Sequence, residues 1–79
     1  KTYLSYDIDF IDPAFAPGTG TPEVGGPNSF QALDVVRKLN DLNLIGADVV
    51  EISPPFDPSG GTAFLGSSIL FEILCIMVK

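Results

Sequence analysis

The sequence predicts an α/β fold: a β-α-β-α run that forms part of a three-layer α/β/α sandwich with a mostly parallel sheet. Three observations carry that prediction. Two segments with strand character, Tyr3–Ile11 and Leu44–Ser53, are separated by an amphipathic stretch of helical period beginning at Ser29. Strands joined through a helix pair in parallel, because the crossover returns the chain to the same end of the sheet. The closing segment, Thr62–Val78, is apolar on almost every side, and a helix of that kind is covered on every side. Two strands and one other helix cannot provide so much cover, so it has to come from sequence outside this stretch or from other subunits. A chain of 79 residues also buries only roughly 60–65 % of its unfolded surface, and this one opens on Lys1 without an initiator Met. A piece of a larger domain is expected, one that aggregates or stays molten when isolated.

Each element has a local reason. In Tyr3–Ile11, Leu4, Tyr6, Ile8 and Phe10 alternate with Tyr3, Ser5, Asp7 and Asp9, which puts the two sets on opposite faces of an extended chain. The apolar face suits a helix layer, while the face with two carboxylates has to meet water or a cation. From Asp12 to Asn28, four prolines and four glycines rule out regular structure. The result is a long loop of a kind associated with function, with Phe15 and Val24 as its expected anchors. Ser29 is the expected N-cap of a helix of about 13 residues, with Phe30, Leu33, Val36, Leu39 and Leu42 on one face. Arg37 and Lys38 lie toward its C-terminus, where the helix dipole favours them. Leu44–Ser53 is a nearly continuous apolar run, as for a strand covered on both faces, and Pro54 and Pro55 end it. Thr62–Val78 follows the second loop, with Glu72 its only charge and Cys75 read as core packing.

Composition removes several functions. Ten acidic against four basic side chains give a net charge of −6 and a pI near 4.1, which argues against nucleic acid as a partner, because phosphate binding needs a Lys/Arg surface. The chain has no His, so it supplies no imidazole base or ligand. Its single cysteine excludes an internal disulfide and a Cys-type zinc site. The last segment, with one charge and two serines, falls short of the ~20 apolar residues of a membrane span. The glycine-rich loop lacks GxxxxGK[ST] and so is no phosphate loop.

The motif that carries chemistry is Ser5-Tyr6-Asp7-Ile8-Asp9-Phe10-Ile11-Asp12-Pro13. On an extended chain Asp7 and Asp9 point the same way, roughly 6.5–7 Å apart at Cα. Two like charges at that spacing are reconciled by a divalent cation, for which carboxylate oxygens are suited, or by a chain that already turns at Asp9 and leaves both solvated.

The longer stretch SYDIDFIDPAFAPGTGTPEVGG resembles the signature of the ureohydrolase family, the binuclear manganese hydrolases that include arginase and agmatinase. Asp48-Val49-Val50-Glu51-Ile52-Ser53-Pro54 is similar to the family's second strand end, and Thr62-Ala63 opens a helix like its C-terminal one. The resemblance implies an arginase-like sandwich, with residues 1–79 as the C-terminal part of a single domain. It implies Asp7 as a carboxylate bridging two Mn2+ ions, Asp9 as a ligand of one, Glu51 as partner of a substrate guanidinium, and Thr21 in the loop lining the substrate pocket. Asp12 and Ser5 take supporting positions. From the residues alone, Glu51 also reads as a surface carboxylate, Thr21 as a turn residue and Asp12 as a turn-former before Pro13.

The implied reaction is hydrolysis of a small guanidino compound to urea and an amine, with two manganese ions per active site lowering the pKa of a shared water. The remaining ligands and a proton-shuttling His belong to upstream segments, so no catalytic residue is assigned here and the isolated piece is expected to be inactive. Pro17-Gly18-Thr19-Gly20-Thr21 and Ser53-Pro54-Pro55-Phe56-Asp57 are closer to the agmatinase branch than to arginase. The family also implies a homo-oligomer, trimer or hexamer, in the cytoplasm, or in mitochondria for a eukaryotic source. A catalytically inert relative and a truncated product serving only as a binding chain are the competing classes.

Overall fold

A computed structural model describes residues 1–79. Strand β1 (Thr2–Asp7) passes through a 3-10 turn (Ile8–Phe10) into the long loop, which leads to helix α1 (Ser29–Arg37). Strand β2 (Leu44–Val50), a second 3-10 turn (Pro54–Phe56) and helix α2 (Gly61–Met77) complete the chain. The strands pair in parallel, with Leu4 opposite Ala47, Tyr6 opposite Val49 and Asp7 opposite Val50. The β-α-β-α order and parallel pairing are those the sequence predicts.

One face of this sheet carries the core. Tyr6 and Leu44 from the strands and Ile8 from the 3-10 turn pack with Ala32 and Val36 of α1 and with Ile69, Ile73 and Ile76 of α2. The Tyr6 hydroxyl donates to the Ala32 carbonyl at 2.9 Å, tying α1 to the sheet, and burial pushes its pKa up to about 12. Arg37 of α1 reaches Glu72 of α2 with Nε 3.0 Å from Oε1, so the one acid of the apolar helix has a cationic partner. The other sheet face is open. There Asp48 accepts hydrogen bonds from the hydroxyls of Tyr3 and Ser5, each at 2.7 Å. β2 is therefore covered on one face within this chain, not on both. Along α2 the buried positions Thr62, Gly66, Ile69, Ile73 and Ile76 make one stripe, while Phe64, Phe71 and Leu74, with Val78 just beyond the helix, are exposed. No helix is long and apolar enough to cross a membrane.

Of the boundaries that differ from the sequence reading, four have a clear local reason. β1 stops at Asp7, not Ile11, because the Asp7 carboxylate caps the 3-10 turn by accepting from Asp9 N–H at 3.0 Å; such a side-chain bond competes with the strand ladder. The N-cap of α1 is Asn28, not Ser29. Its side chain accepts from Gln31 N–H at 2.8 Å and its own N–H donates to Gln31 Oε1 at 2.9 Å, a reciprocal capping box. α1 ends at Arg37 in tight turns through Leu39 and Leu42, since Asn40 and Asp41 are poor helix formers. β2 ends at Val50 because Glu51 turns out of the strand with φ 70°. Cys75 is exposed rather than in the core: on a helix apolar all round, the pattern does not choose a buried side.

Candidate metal and substrate site

Parallel pairing brings the C-terminal ends of β1 and β2 to one edge of the sheet, the edge where ligands sit in open α/β folds. Asp7 is the last residue of β1, and Glu51 follows its partner Val50. The turn capped by Asp7 then carries Asp9 to the same edge. Asp9 thus arrives by a turn and not by strand alternation, so the extended-chain spacing between the two carboxylates does not apply.

Thr21 closes the group from the loop. Its hydroxyl donates to Asp9 Oδ2 at 2.6 Å, so Asp7, Asp9 and Thr21 form one hydrogen-bonded chain. Glu51 makes no hydrogen bond to them, but its charge is felt at Asp7. Desolvation is the main cause raising the Asp7 pKa; the carboxylates of Asp9 and Glu51 raise it further, against the lowering pull of Asp9 N–H. A carboxylate held above its ordinary pKa by desolvation and, beyond that, by acidic neighbours is a group that a divalent cation would relieve. The donor set fits a hard oxygen-seeking ion, though only in part: nowhere do three or more His, Cys, Asp or Glu side chains gather in a metal-holding cluster. Within this chain the site is half built.

Glu51 is the chain's only non-glycine residue with positive φ. An L-residue in that region carries a penalty of about 1–2 kcal/mol, and strain of this kind collects where a side chain has to be aimed. It breaks the strand's alternation and leaves Glu51 exposed at the edge shared with Asp7.

Of the two supporting residues, Asp12 does what its place before Pro13 suggests and Ser5 does not orient the ligands. Asp12 is a turn-former: its carboxylate accepts from Ala14 N–H at 2.9 Å and Gly25 N–H at 3.0 Å, closing the base of the loop. Ser5 serves Asp48 and not the acidic edge. Phe15 and Val24 do not pin the loop, being 46 % and 85 % exposed. It is held instead at Gly18, whose N–H donates to Thr62 Oγ1 at 2.8 Å and whose carbonyl accepts from Ser53 N–H at 2.6 Å. The sequence reading quoted Asp57 and Thr62 within the resemblance but gave them no role; the available signal was an Asp five positions before a Thr at the head of an apolar helix.

The profile of the Arginase family matches residues 1–76. The chain is 59 % identical to the guanidinopropionase of Pseudomonas aeruginosa over 99 % of its own length and 24 % of the relative's. With the guanidinobutyrase of the same organism it shares 56 % identity, over 95 % of this chain and 24 % of that one. The crystal structure of a hypothetical agmatinase from Burkholderia thailandensis superposes with a TM-score of 0.90 at 55 % identity, covering 95 % of this chain and 24 % of the other. The chain thus spans about a quarter of the length of these relatives. A profile match over nearly every residue, on a parallel sheet with its acids at one edge, settles the family: the chain belongs to the arginase family.

Proposed function

We propose that residues 1–79 are the C-terminal part of a single ureohydrolase domain, and that the complete protein hydrolyses a linear guanidino compound of the agmatine class to urea and an amine, with two Mn2+ ions per active site. The observation that carries this reading is the convergence of Asp7, Asp9 and Glu51 on one edge of the sheet, where desolvation first and the neighbouring carboxylates second raise the Asp7 pKa. Asp7 and Asp9 would hold the ions together with ligands from the rest of the domain. When bound, the ions supply chemistry by lowering the pKa of a shared water. Thr21 fixes Asp9 by donating to Oδ2, and Oδ1 would be the oxygen available to a cation. Glu51, aimed by its left-handed backbone, offers the planar guanidinium two acceptor oxygens. An inert relative has no use for a strained Glu beside two crowded Asp residues, which speaks against that alternative. Trimeric or hexameric assembly and a cytoplasmic or mitochondrial location extend the reading on family resemblance.

The isolated stretch is inactive on this reading, and the exposed Phe64, Phe71 and Leu74 of α2 await cover by the rest of the domain. The test is urea release by the full-length protein from agmatine, guanidinobutyrate, guanidinopropionate and arginine, before and after removal of manganese by a chelator. The expected result is urea from agmatine in preference to arginine, lost on chelation and restored by Mn2+. No urea from any of the four, or release indifferent to chelation, contradicts the reading.

A further inference from the structure

The long loop has a second anchor with no contact to the acidic edge. Asp57 is buried at 9 % exposure, and its Oδ2 accepts from Thr62 N–H at 2.7 Å and from the Thr62 hydroxyl at 2.6 Å. The Ser59 hydroxyl donates to Oδ1. A threonine hydroxyl has a single proton. With that proton committed to Asp57, the Thr62 oxygen can only accept, and what it accepts is the N–H of Gly18, 44 residues away. The direction of the whole relay is set by Asp57 being an acceptor. Gly18 fits because it has no side chain: a Cβ there would lie 2.8 Å from Thr62 Cβ and 2.9 Å from Asp57 Cβ. Thr19 beside it is 2 % exposed. Two residues further on, Thr21 leaves the anchored segment and meets Asp9.

We propose that Asp57 and Thr62 are positioning residues for the acidic edge: the Asp57 carboxylate orients the Thr62 hydroxyl, which holds Gly18 and so sets the loop that delivers Thr21 to Asp9. This rests on the functional reading above for its effect on catalysis, but not for its effect on the loop. Neither residue touches the three site carboxylates. Both act through Gly18 and Thr21, and an oriented carboxylate ligand is what such outer contacts secure. The hydrogen bonds of Ser59 and Thr62 hold the Asp57 pKa down at about 2, so the relay keeps one direction throughout the neutral range.

The experiment uses the full-length protein with Thr62→Val, Thr62→Ser and Asp57→Asn, the last keeping the side-chain volume should the valine variant fold poorly. Hydrogen–deuterium exchange over residues 17–21 tests the loop independently of any activity. Thr62→Val and Asp57→Asn are expected to speed exchange there, and Thr62→Ser to restore the wild-type rate. Urea release then tests the path to the site. Thr62→Val alone is expected to lower kcat roughly 10-fold, the lower end for loss of an outer contact, with KM little changed. In a Thr21→Val background the same substitution is expected to add almost nothing, since both changes break one path. Unchanged exchange in both Thr62→Val and Asp57→Asn overturns the proposal, as does full additivity of Thr62→Val with Thr21→Val. A wild-type protein that releases no urea overturns the functional reading instead, and leaves the exchange result to decide the loop.

Discussion

Two carboxylate regions of this small chain are built on opposite principles. At the edge of the sheet, Asp7 sits with Asp9 and Glu51 as neighbours, its pKa raised by desolvation and by their charges. At the head of α2, Asp57 receives donors from Ser59 and Thr62, and those hydrogen bonds bring its pKa down to about 2. The residue type is the same and the shifts have opposite sign. The Asp57 region is complete within the chain and needs nothing further, so its role is mechanical. The edge is short of positive charge and carries the strained Glu51, which is how a site looks when part of its chemistry arrives from elsewhere.

The contrast is sharpened first by Glu51→Gln in the full-length protein. A neutral amide loses the charge and one of two acceptors, which lowers kcat/KM for agmatine by roughly 10–100-fold, the loss of about 1.5–3 kcal/mol assigned to a hydrogen bond with a charged group. Manganese content should be unchanged. A parallel loss of manganese would move Glu51 from the substrate to the metal.

Next in size is Gly18→Ala, aimed at the mechanical region. The new methyl meets the Thr62 and Asp57 side chains inside van der Waals contact, and overpacking of that kind costs about 1–3 kcal/mol. Denaturant titration of the full-length protein should show a lower midpoint with the same slope.

Acid should then separate the two regions. The folded-state pKa of Asp57 lies near 2, below the ~3.9 of an unfolded Asp. Its contribution to stability is therefore fully present above about pH 4 and is lost as pH falls through about 2. Asp57→Asn should flatten that acid limb, and a stability profile identical to wild type between pH 4 and pH 2 would contradict the assigned hydrogen bonds.

The smallest effect expected is a gain. Glu51→Gly removes the left-handed penalty of about 1–2 kcal/mol at φ 70°, partly offset by glycine's own entropy cost of about 0.5–1 kcal/mol. A slightly higher melting temperature together with loss of urea release would identify Glu51 as a residue kept for function at the expense of stability.

How much of this was legible in the sequence follows the range of the interactions. Strand, helix, strand and helix came from local periodicity, and parallel pairing followed from their order. That in turn placed Asp7 and Glu51 at one edge, and resemblance to a family pointed to the same residues. The cap at Asn28 was missed although it is local, because Ser29 is an equally good capping residue and only the reciprocal bond with Gln31 decides between them. The end of β1 was missed because one side-chain bond from Asp7 outweighs four more residues of alternation. The positive φ of Glu51 leaves no trace in a pattern of apolar letters. The relay from Asp57 through Thr62 to Gly18 joins residues 44 positions apart, and no window along the chain contains both ends. In the loop, proline and glycine density announced irregularity without saying what holds it.

The central claim is that the acidic edge is completed by metal while the Asp57 region is not. Elemental analysis of the full-length Asp7→Asn protein, beside urea release from agmatine, tests it most directly. If Asp7 bridges the ions, losing its charge weakens both positions, so manganese falls below two per subunit and urea release is abolished. Full manganese occupancy with normal turnover in Asp7→Asn would contradict the metal assignment and, with it, the function proposed for the protein.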